Sequence, residues 1–304
     1  MARIVTSVSE LIGSTPMIRL SDADAPVEIL AKCELLNPGG SIKDRPIRQM
    51  LDAAEARGEL SPGATVIEAS SGNTGISLAM LCAERGYRCI VVMPEDMSVE
   101  RRLLMSGYGA RIVLTGKAHG MTGSLAKARE IAAEVQEETG AAPFMTRQFD
   151  NLDNPLAHER TTAQEILEAC DGEVNVFIAG VGTGGTLTGT GRILKRALPN
   201  VRVVGVEPER ARAFKGEPYR PHAIQGIGAG FVPNIVDHSV IDEVTAVSDE
   251  EAVTKARELA TRHGLLVGPS SGANLVVAAR EAAKLQGGGR VVTFLCDSGE
   301  RYLS

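Results

Sequence analysis

Lys43 closes the run Asn37, Pro38, Gly39, Gly40, Ser41, Ile42, and is followed by Asp44, Arg45 and Pro46. A turn of Asn, Pro and two glycines hands this lysine straight to a helix. Ser41 and Asp44 have the spacing of a capping box, and Pro46 suits a first helical turn. Lys43 is therefore expected at the positively polarised end of a helix, which disfavours an ammonium. A free lysine, with a pKa near ~10.4, holds well under ~0.1% of its nucleophilic amine at neutral pH, so lowering that pKa enlarges the reactive fraction that imine chemistry needs. Taken alone, a lysine of this kind is more often a solvated helix start, and the neighbouring motifs must decide.

Three more turns rich in glycine and hydroxyl groups lie between an apolar strand and a helix. The first follows the strand 65–69 and reads Ser70, Ser71, Gly72, Asn73, Thr74, Gly75, with a helix over 76–85 behind it. One N-cap explains a single hydroxyl. It does not explain three around an Asn and two glycines, a set that forms a cradle for a carboxylate or another small anion. The second follows the strand 175–179 and runs Gly180, Val181, Gly182, Thr183, Gly184, Gly185, Thr186, Leu187, Thr188, Gly189. It fits G-x-G-x-x-G, and Glu207 ends the next strand about where a ribose-binding acid would stand, so a nicotinamide dinucleotide is one reading. The turn lies mid-chain behind two other small-ligand turns, which fits a phosphate better. Glycines admit close backbone approach, Thr183 and Thr186 add hydroxyls, and the helix from about Leu187 offers its N-terminus. The third turn is Gly268, Pro269, Ser270, Ser271, Gly272, Ala273, between a short apolar strand at 265–267 and a helix to about Lys284.

Alternation of strands and helices is what positions these turns. Strands are expected over 27–32, 65–69, 89–93, 111–114, 175–179, 202–206 and 290–295. Helices are expected over 46–57, 76–85, 99–108, 122–138, 158–170, 187–198, 249–263 and 273–284. That rhythm predicts an α/β fold with an open, mostly parallel sheet in each half of the chain. The stretch 208–237, poor in periodicity and rich in Gly and Pro, is expected to be a long functional loop.

Composition bounds the function. The 304 residues are 43% hydrophobic, enough for one large core or, as expected here, two modest ones. A net charge of −6 without a basic cluster among aromatics argues against nucleic acid. Cys33, Cys82, Cys89, Cys170 and Cys296 are odd in number and lack C-x-x-C, and the five histidines have no ligand-like spacing, so neither disulfides nor structural zinc are expected. The N-terminal residues lack a signal-peptide pattern and no run approaches membrane-spanning length, so a cytoplasmic protein without a membrane partner is expected.

In order and spacing the four sites resemble the fold-type II pyridoxal-phosphate enzymes, the tryptophan synthase β-like group, and within them the cysteine synthases (O-acetylserine sulfhydrylases). The resemblance spans nearly the whole chain. It includes Leu11, Ile12, Gly13, Ser14, Thr15, Pro16; the run from Met93 to Ser98; Gln148, Phe149, Asp150, Asn151 with Asn154 and Pro155; Ile224, Gln225, Gly226, Ile227, Gly228, Ala229, Gly230, Phe231; and Glu300, Arg301, Tyr302, Leu303. It implies pyridoxal 5′-phosphate bound to Lys43 through an imine, its phosphate in the turn Gly182, Thr183, Gly184, Gly185, Thr186, its O3′ bonded by Asn73 and its ring nitrogen facing Ser270. A hydroxyl there makes the ring a weaker electron sink than a carboxylate would, which favours elimination. Ser70, Ser71, Gly72, Thr74, Gln148 and Gly228 are implied as the substrate pocket.

The implied reaction is β-replacement: Lys43 takes the Cα proton of O-acetyl-L-serine, acetate leaves, and sulfide or another donor such as thiosulfate adds to the resulting α-aminoacrylate. The resemblance also implies a smaller, mobile domain over 36–147, a larger one from 1–35 with 148–304, a cofactor cleft between them, a homodimer, and possible docking of serine acetyltransferase. Residues 296–301 and 148–158 look more like the B isozyme, and 224–231 more like the A isozyme. Arg210, Arg212, Lys215 and Arg220 raise the alternative of O-phosphoserine as substrate. Cystathionine β-synthase activity is a further alternative. A serine or threonine dehydratase fits the 226–231 run less well.

Overall fold

Val66 and Ile67, like the run from Cys89 to Met93, are apolar at consecutive positions, and strands of that kind need both faces of their sheet covered. The computed structural model, which describes residues 4–22, 24–70 and 72–303, meets that need with two sheets. In chain order the elements are β1 Met17–Arg19, β2 Val27–Cys33, α1 Asp44–Ala56, β3 Thr65–Ala69, α2 Asn73–Arg85, β4 Arg88–Pro94, α3 Val99–Gly107, β5 Arg111–Thr115, α4 Gly120–Thr139 and β6 Phe144–Met145. They continue with α5 Asp153–Ala157, a π-helical turn His158–Thr162, α6 Ala163–Ala169, β7 Val176–Gly180, α7 Gly185–Ala197, β8 Arg202–Pro208, β9 Glu243–Val247, α8 Asp249–His263, α9 Pro269–Ala282 and β10 Gly289–Leu295.

The smaller sheet, ordered β5-β4-β3-β6, is parallel throughout. The larger, ordered β1-β2-β10-β7-β8-β9, is parallel except for the β1 edge. Strand alternation sorts the core into layers. Val66 and Val91 face Ile47, Leu51, Ile76 and Leu81 of α1 and α2, whereas Ile67, Ile90 and Val92 face Ala128 and Ile131 of α4. In the larger sheet Ile178, Val204 and Val291 pack with Leu259 and Val277, while Phe177, Val203 and Phe294 pack on the other side with Ile166, Leu187 and Leu194.

β2 lies beside β10 from Val27 opposite Gly289 to Cys33 opposite Leu295. The N-terminal strands therefore share a sheet with residues 176–295, and the chain leaves that sheet at the end of β2 to build the other one. The turn bearing Lys43 starts at that crossing. The turns after β3, β7 and β10 all lie at carboxyl ends of parallel strands, where open α/β sheets bind ligands.

Several elements differ from the sequence expectation. The helix expected over 158–170 is split: the Thr161 hydroxyl donates to Ala157 O at 2.7 Å, competing with the regular ladder across the π-helical turn, while His158 Nδ1 and the Thr162 hydroxyl bond side chain to side chain at 2.9 Å. Residues 265–267 form no strand, only a bridge from Val267 to Ser298. β1, β6 and β9 were not expected; β6 has two residues and β9 is a half-exposed edge, so neither carries a clear apolar pattern. α2, α7 and α9 begin at Asn73, Gly185 and Pro269, upstream of the expected starts, so the glycine and hydroxyl turns run into first helical turns.

Candidate active site

The Lys43 turn is held from both sides. Asn37 accepts from Gly13 N at 2.9 Å and donates to the Glu34 carboxylate at 2.7 Å. Ile42 N donates to Cys296 O at 2.9 Å, and Ser298 N to Gly40 O at 3.1 Å, clipping the turn to the end of β10. The expected capping box does not form. The Ser41 hydroxyl accepts from Lys43 N at 3.2 Å, whereas the Asp44 carboxylate turns back to Gly39 N at 2.6 Å and takes the Ser77 hydroxyl. The tight glycine turn competes for both side chains, so α1 starts with Lys43 as its N-cap residue and no side-chain cap.

The residues after Lys43 reach into different layers. Asp44 bonds Ser77 of α2. Arg45, 1% exposed, is enclosed by Glu34 at 2.7 Å and Glu165 at 2.7 Å, and Lys32 pairs with the same Glu165 at 2.7 Å. Lys43 thus stands at the seam between the two sheets. Burial lowers its pKa, against the opposing pull of Cys296 and Asp297. The expected depression is present, with burial rather than a helix end as its leading cause.

Asn73 opens α2, and its amide is clamped by the C-terminal segment: Nδ2 donates to Asp297 at 2.6 Å, and Oδ1 accepts from Arg301 at 2.7 Å. Arg301 also donates to Gly39 O at 2.8 Å, the Tyr302 hydroxyl bonds Asp297, and the Arg101 guanidinium lies 4.9 Å from the centre of the Tyr302 ring. The Ser70 hydroxyl accepts from Gly72 N at 3.3 Å and Gly75 N at 3.0 Å, so it caps the turn and keeps its own proton to donate. The Thr74 hydroxyl donates to Gln148 Oε1 at 2.7 Å. Ser71 lies outside the described residues.

The Gly182 to Thr186 turn is a bare-backbone cradle. A Cβ at Gly182 would strike Gly226 O, one at Gly184 would strike Val236, and one at Gly185 would strike Asn154. Gly184 has φ +85°, the left-handed region that favours glycine, and α7 starts directly after it. The first N–H groups of that helix have no partner within it and face the cradle with its positive end. The Thr183 hydroxyl receives the Asn154 amide at 3.0 Å and Gly185 N at 3.4 Å. Thr186 Oγ1 lies 3.3 Å from Nε2 of His158, whose pKa burial pushes well below the ordinary value.

Ser270, 4% exposed, sits in the first turn of α9, with its hydroxyl next to the open side of Gly226. The next hydroxyl, of Ser271, accepts from Cys296 N at 2.8 Å, and burial raises the Cys296 thiol pKa to about 11. Gly228 is engaged internally: its N–H donates to Val181 O at 2.9 Å and its carbonyl meets His222 Nε2 at 3.1 Å. Of the basic loop residues, Arg212 pairs with Glu217 at 3.1 Å, while Arg210, Lys215 and Arg220 are exposed.

Contacts join these parts into one site. Lys43 lies within electrostatic reach of Cys296 and Asp297, Asp297 bonds Asn73, and Cys296 N donates to Ser271, the neighbour of Ser270. Ser270 adjoins Gly226, which backs Gly182. Thr183 is bonded by Asn154, whose amide also donates to Gln148 O at 2.8 Å, and Gln148 accepts from Thr74. These residues fit pyridoxal phosphate: an anion cradle that a Cβ would fill, an amine lowered in pKa, and a buried hydroxyl in place of a carboxylate. Sequence reasoning missed Asn154 and the clamp of Asp297, Arg301 and Tyr302 as site-builders. It also missed Glu68, though a lone acid in the apolar run 65–69 was the visible signal.

Comparison with known proteins agrees with this geometry. A family model described as pyridoxal-phosphate dependent enzyme matches residues 8–297. A cysteine synthase of Staphylococcus aureus is 43% identical over 303 residues, covering 99% of this chain and 96% of that protein. The crystal structure of an O-ureido-L-serine synthase is similar at 42% identity and a TM-score of 0.92, covering 99% of this chain and 94% of that one. An O-acetylserine-dependent cystathionine β-synthase from Helicobacter pylori is similar at 38% identity and a TM-score of 0.92, covering 99% and 98%. With a family model matched along nearly its whole length over a site of this construction, the chain belongs to the pyridoxal-phosphate-dependent enzyme family.

Proposed function

We propose that this protein makes L-cysteine from O-acetyl-L-serine and sulfide by β-replacement. The reading is supported by a buried Lys43 lowered in pKa, by the glycine cradle at 182–186 and by the Thr74 and Gln148 pair, which fit one cofactor and one amino-acid substrate. Bound pyridoxal phosphate supplies the electron sink that acidifies the substrate Cα–H and lets the β-substituent leave.

Lys43 Nζ anchors the cofactor, then takes the Cα proton as a neutral amine and returns it to Cα after the sulfur has added. Burial makes that neutral amine accessible near pH 7. Gly182, Thr183, Gly184, Gly185 and Thr186 hold the phosphate by backbone N–H and hydroxyl groups, and Asn73, fixed by Asp297 and Arg301, orients the ring oxygen. Ser270 faces the ring nitrogen without ionising it. Ser70, Ser71, Gly72, Thr74 and Gln148 receive the α-carboxylate, and Gly228 serves the mouth of the site through its small size. Closure of the 36–147 unit over the substrate excludes water. A homodimer in the cytoplasm, with serine acetyltransferase as a candidate partner, completes the proposal; among the described residues no helix is long and apolar enough to cross a membrane.

The test is direct. The purified protein should be yellow, carry its borohydride-fixed cofactor mass on the peptide containing Lys43, and form cysteine from O-acetylserine and sulfide. Turnover of O-phosphoserine instead, or a fixed mass on another lysine, would overturn the assignment.

A further inference from the structure

Glu68 is the one charged residue of β3 and is 2% exposed. Its hydrogen-bonding neighbours come from the segment that carries Gln148. Gln148 Nε2 donates to Glu68 Oε1 at 3.2 Å, and the Thr146 hydroxyl bonds the other carboxyl oxygen. Between Thr146 and Gln148, Arg147 has φ +53°, a left-handed conformation that side chains other than glycine rarely adopt. This conformation lies between the two residues whose side chains meet at one carboxyl, and local strain persists only where surroundings over-determine it.

The arrangement decides which way the Gln148 carboxamide points. Its nitrogen end meets Glu68 Oε1 and, at 3.3 Å, the carbonyl of Ala69, which can only accept. Its oxygen end takes the Thr74 hydroxyl at 2.7 Å. The amide is thus satisfied and oriented before any substrate arrives. Of the two bonds on its nitrogen the one to Ala69 O is the longer, so that N–H can turn to a shorter, charge-assisted bond to a carboxylate while the bond to Glu68 keeps the amide in place.

We propose that Glu68 is a positioning residue for the substrate pocket: it holds the carboxamide of Gln148, and through it Thr74, in the orientation that receives the α-carboxylate. This rests on the assignment of Gln148 to that carboxylate. Glu68 acts only through Gln148, so its loss raises KM for the amino-acid substrate and leaves kcat nearly alone, because the chemistry at Lys43 is untouched.

The experiment uses the cofactor-loaded full chain and four proteins: wild type, Glu68→Ala, Gln148→Ala and the double variant, with melting temperature as a fold control. Glu68→Ala should raise KM for O-acetylserine about tenfold with kcat within about twofold, a loss of preorganised binding. In the Gln148→Ala background, removing Glu68 should change KM by less than about twofold, the non-additivity of two residues acting as one unit. If Glu68→Ala folds poorly, Glu68→Gln, which keeps an acceptor for Gln148, should rescue both melting temperature and KM. An unchanged KM in Glu68→Ala, an equally large KM change in the Gln148→Ala background, or a Glu68→Gln protein that folds yet keeps the full KM defect would overturn the proposal. Failure of the parent reading is distinguishable: there the wild type itself forms no cysteine, or Gln148→Ala leaves KM unchanged.

Discussion

The reactive amine at position 43 owes its state to burial. Cys296 and Asp297 favour its charged form, yet desolvation outweighs them and lowers its pKa. Lys43→Ala should therefore cost about a thousandfold or more in cysteine formation, since anchor, base and acid are lost together, while the melting temperature of the cofactor-free protein changes little. Ser70 illustrates a different role. Its hydroxyl accepts from Gly72 N and Gly75 N beside the start of α2, so Ser70→Ala leaves two backbone donors unpaired and should destabilise the fold by about 1 kcal/mol, measured by denaturant unfolding. A variant as stable as wild type would show that those N–H groups find other partners.

Elements place the anion sites where helices begin. α7 starts at Gly185 directly behind a left-handed glycine, and the Asn154 side chain fills the space that a Cβ at 185 would need. Asn154 bonds both Thr183 and Gln148 O, so one collision there disturbs the phosphate cradle and the substrate pocket together. Under the proposed function, Gly185→Ala should weaken pyridoxal-phosphate binding by at least about tenfold, read by equilibrium dialysis, because the phosphate would rest on directed N–H bonds of this turn. An unchanged dissociation constant would mean that Asn154 moves aside freely. Helix and strand types in this region were legible from the sequence, but the starts of α2, α7 and α9 were placed too late. Glycine, serine and threonine read as loop by propensity, and only backbone packing against the sheet ends carries them into the first helical turn.

The whole molecule ties its sheets together through buried charge, and this sets its response to pH. Although burial opposes ionisation, Arg45 and Lys32 hold the Glu165 carboxylate down at about 2, so its stabilisation is present above the ordinary carboxylate pKa and is lost as pH falls toward 2. Glu68 has the opposite sign. Burial lifts its pKa to about 8 despite the Gln148 amide and backbone N–H groups, so the folded state binds its proton more tightly than the unfolded chain. Stability from this group is full below pH ~4.5 and falls as pH rises to about 8, by on the order of a few kcal/mol at about 1.4 kcal/mol per unit. Glu68→Gln should flatten the decline in unfolding free energy between pH 5 and about 8, and parallel curves for the two proteins would refute that origin. By itself the sequence determined the lysine turn, the strand-to-helix turns after 65–69 and 175–179 and the alternation that makes parallel α/β sheets, because these are written in local residue type and period. Only the tertiary structure decided that 27–33 pairs with 289–295, that Asp297 and Arg301 clamp Asn73, and that Glu68 meets Gln148. Those contacts join residues far apart in the chain, and which of them meet is selected by how the two cores pack, which no local pattern records.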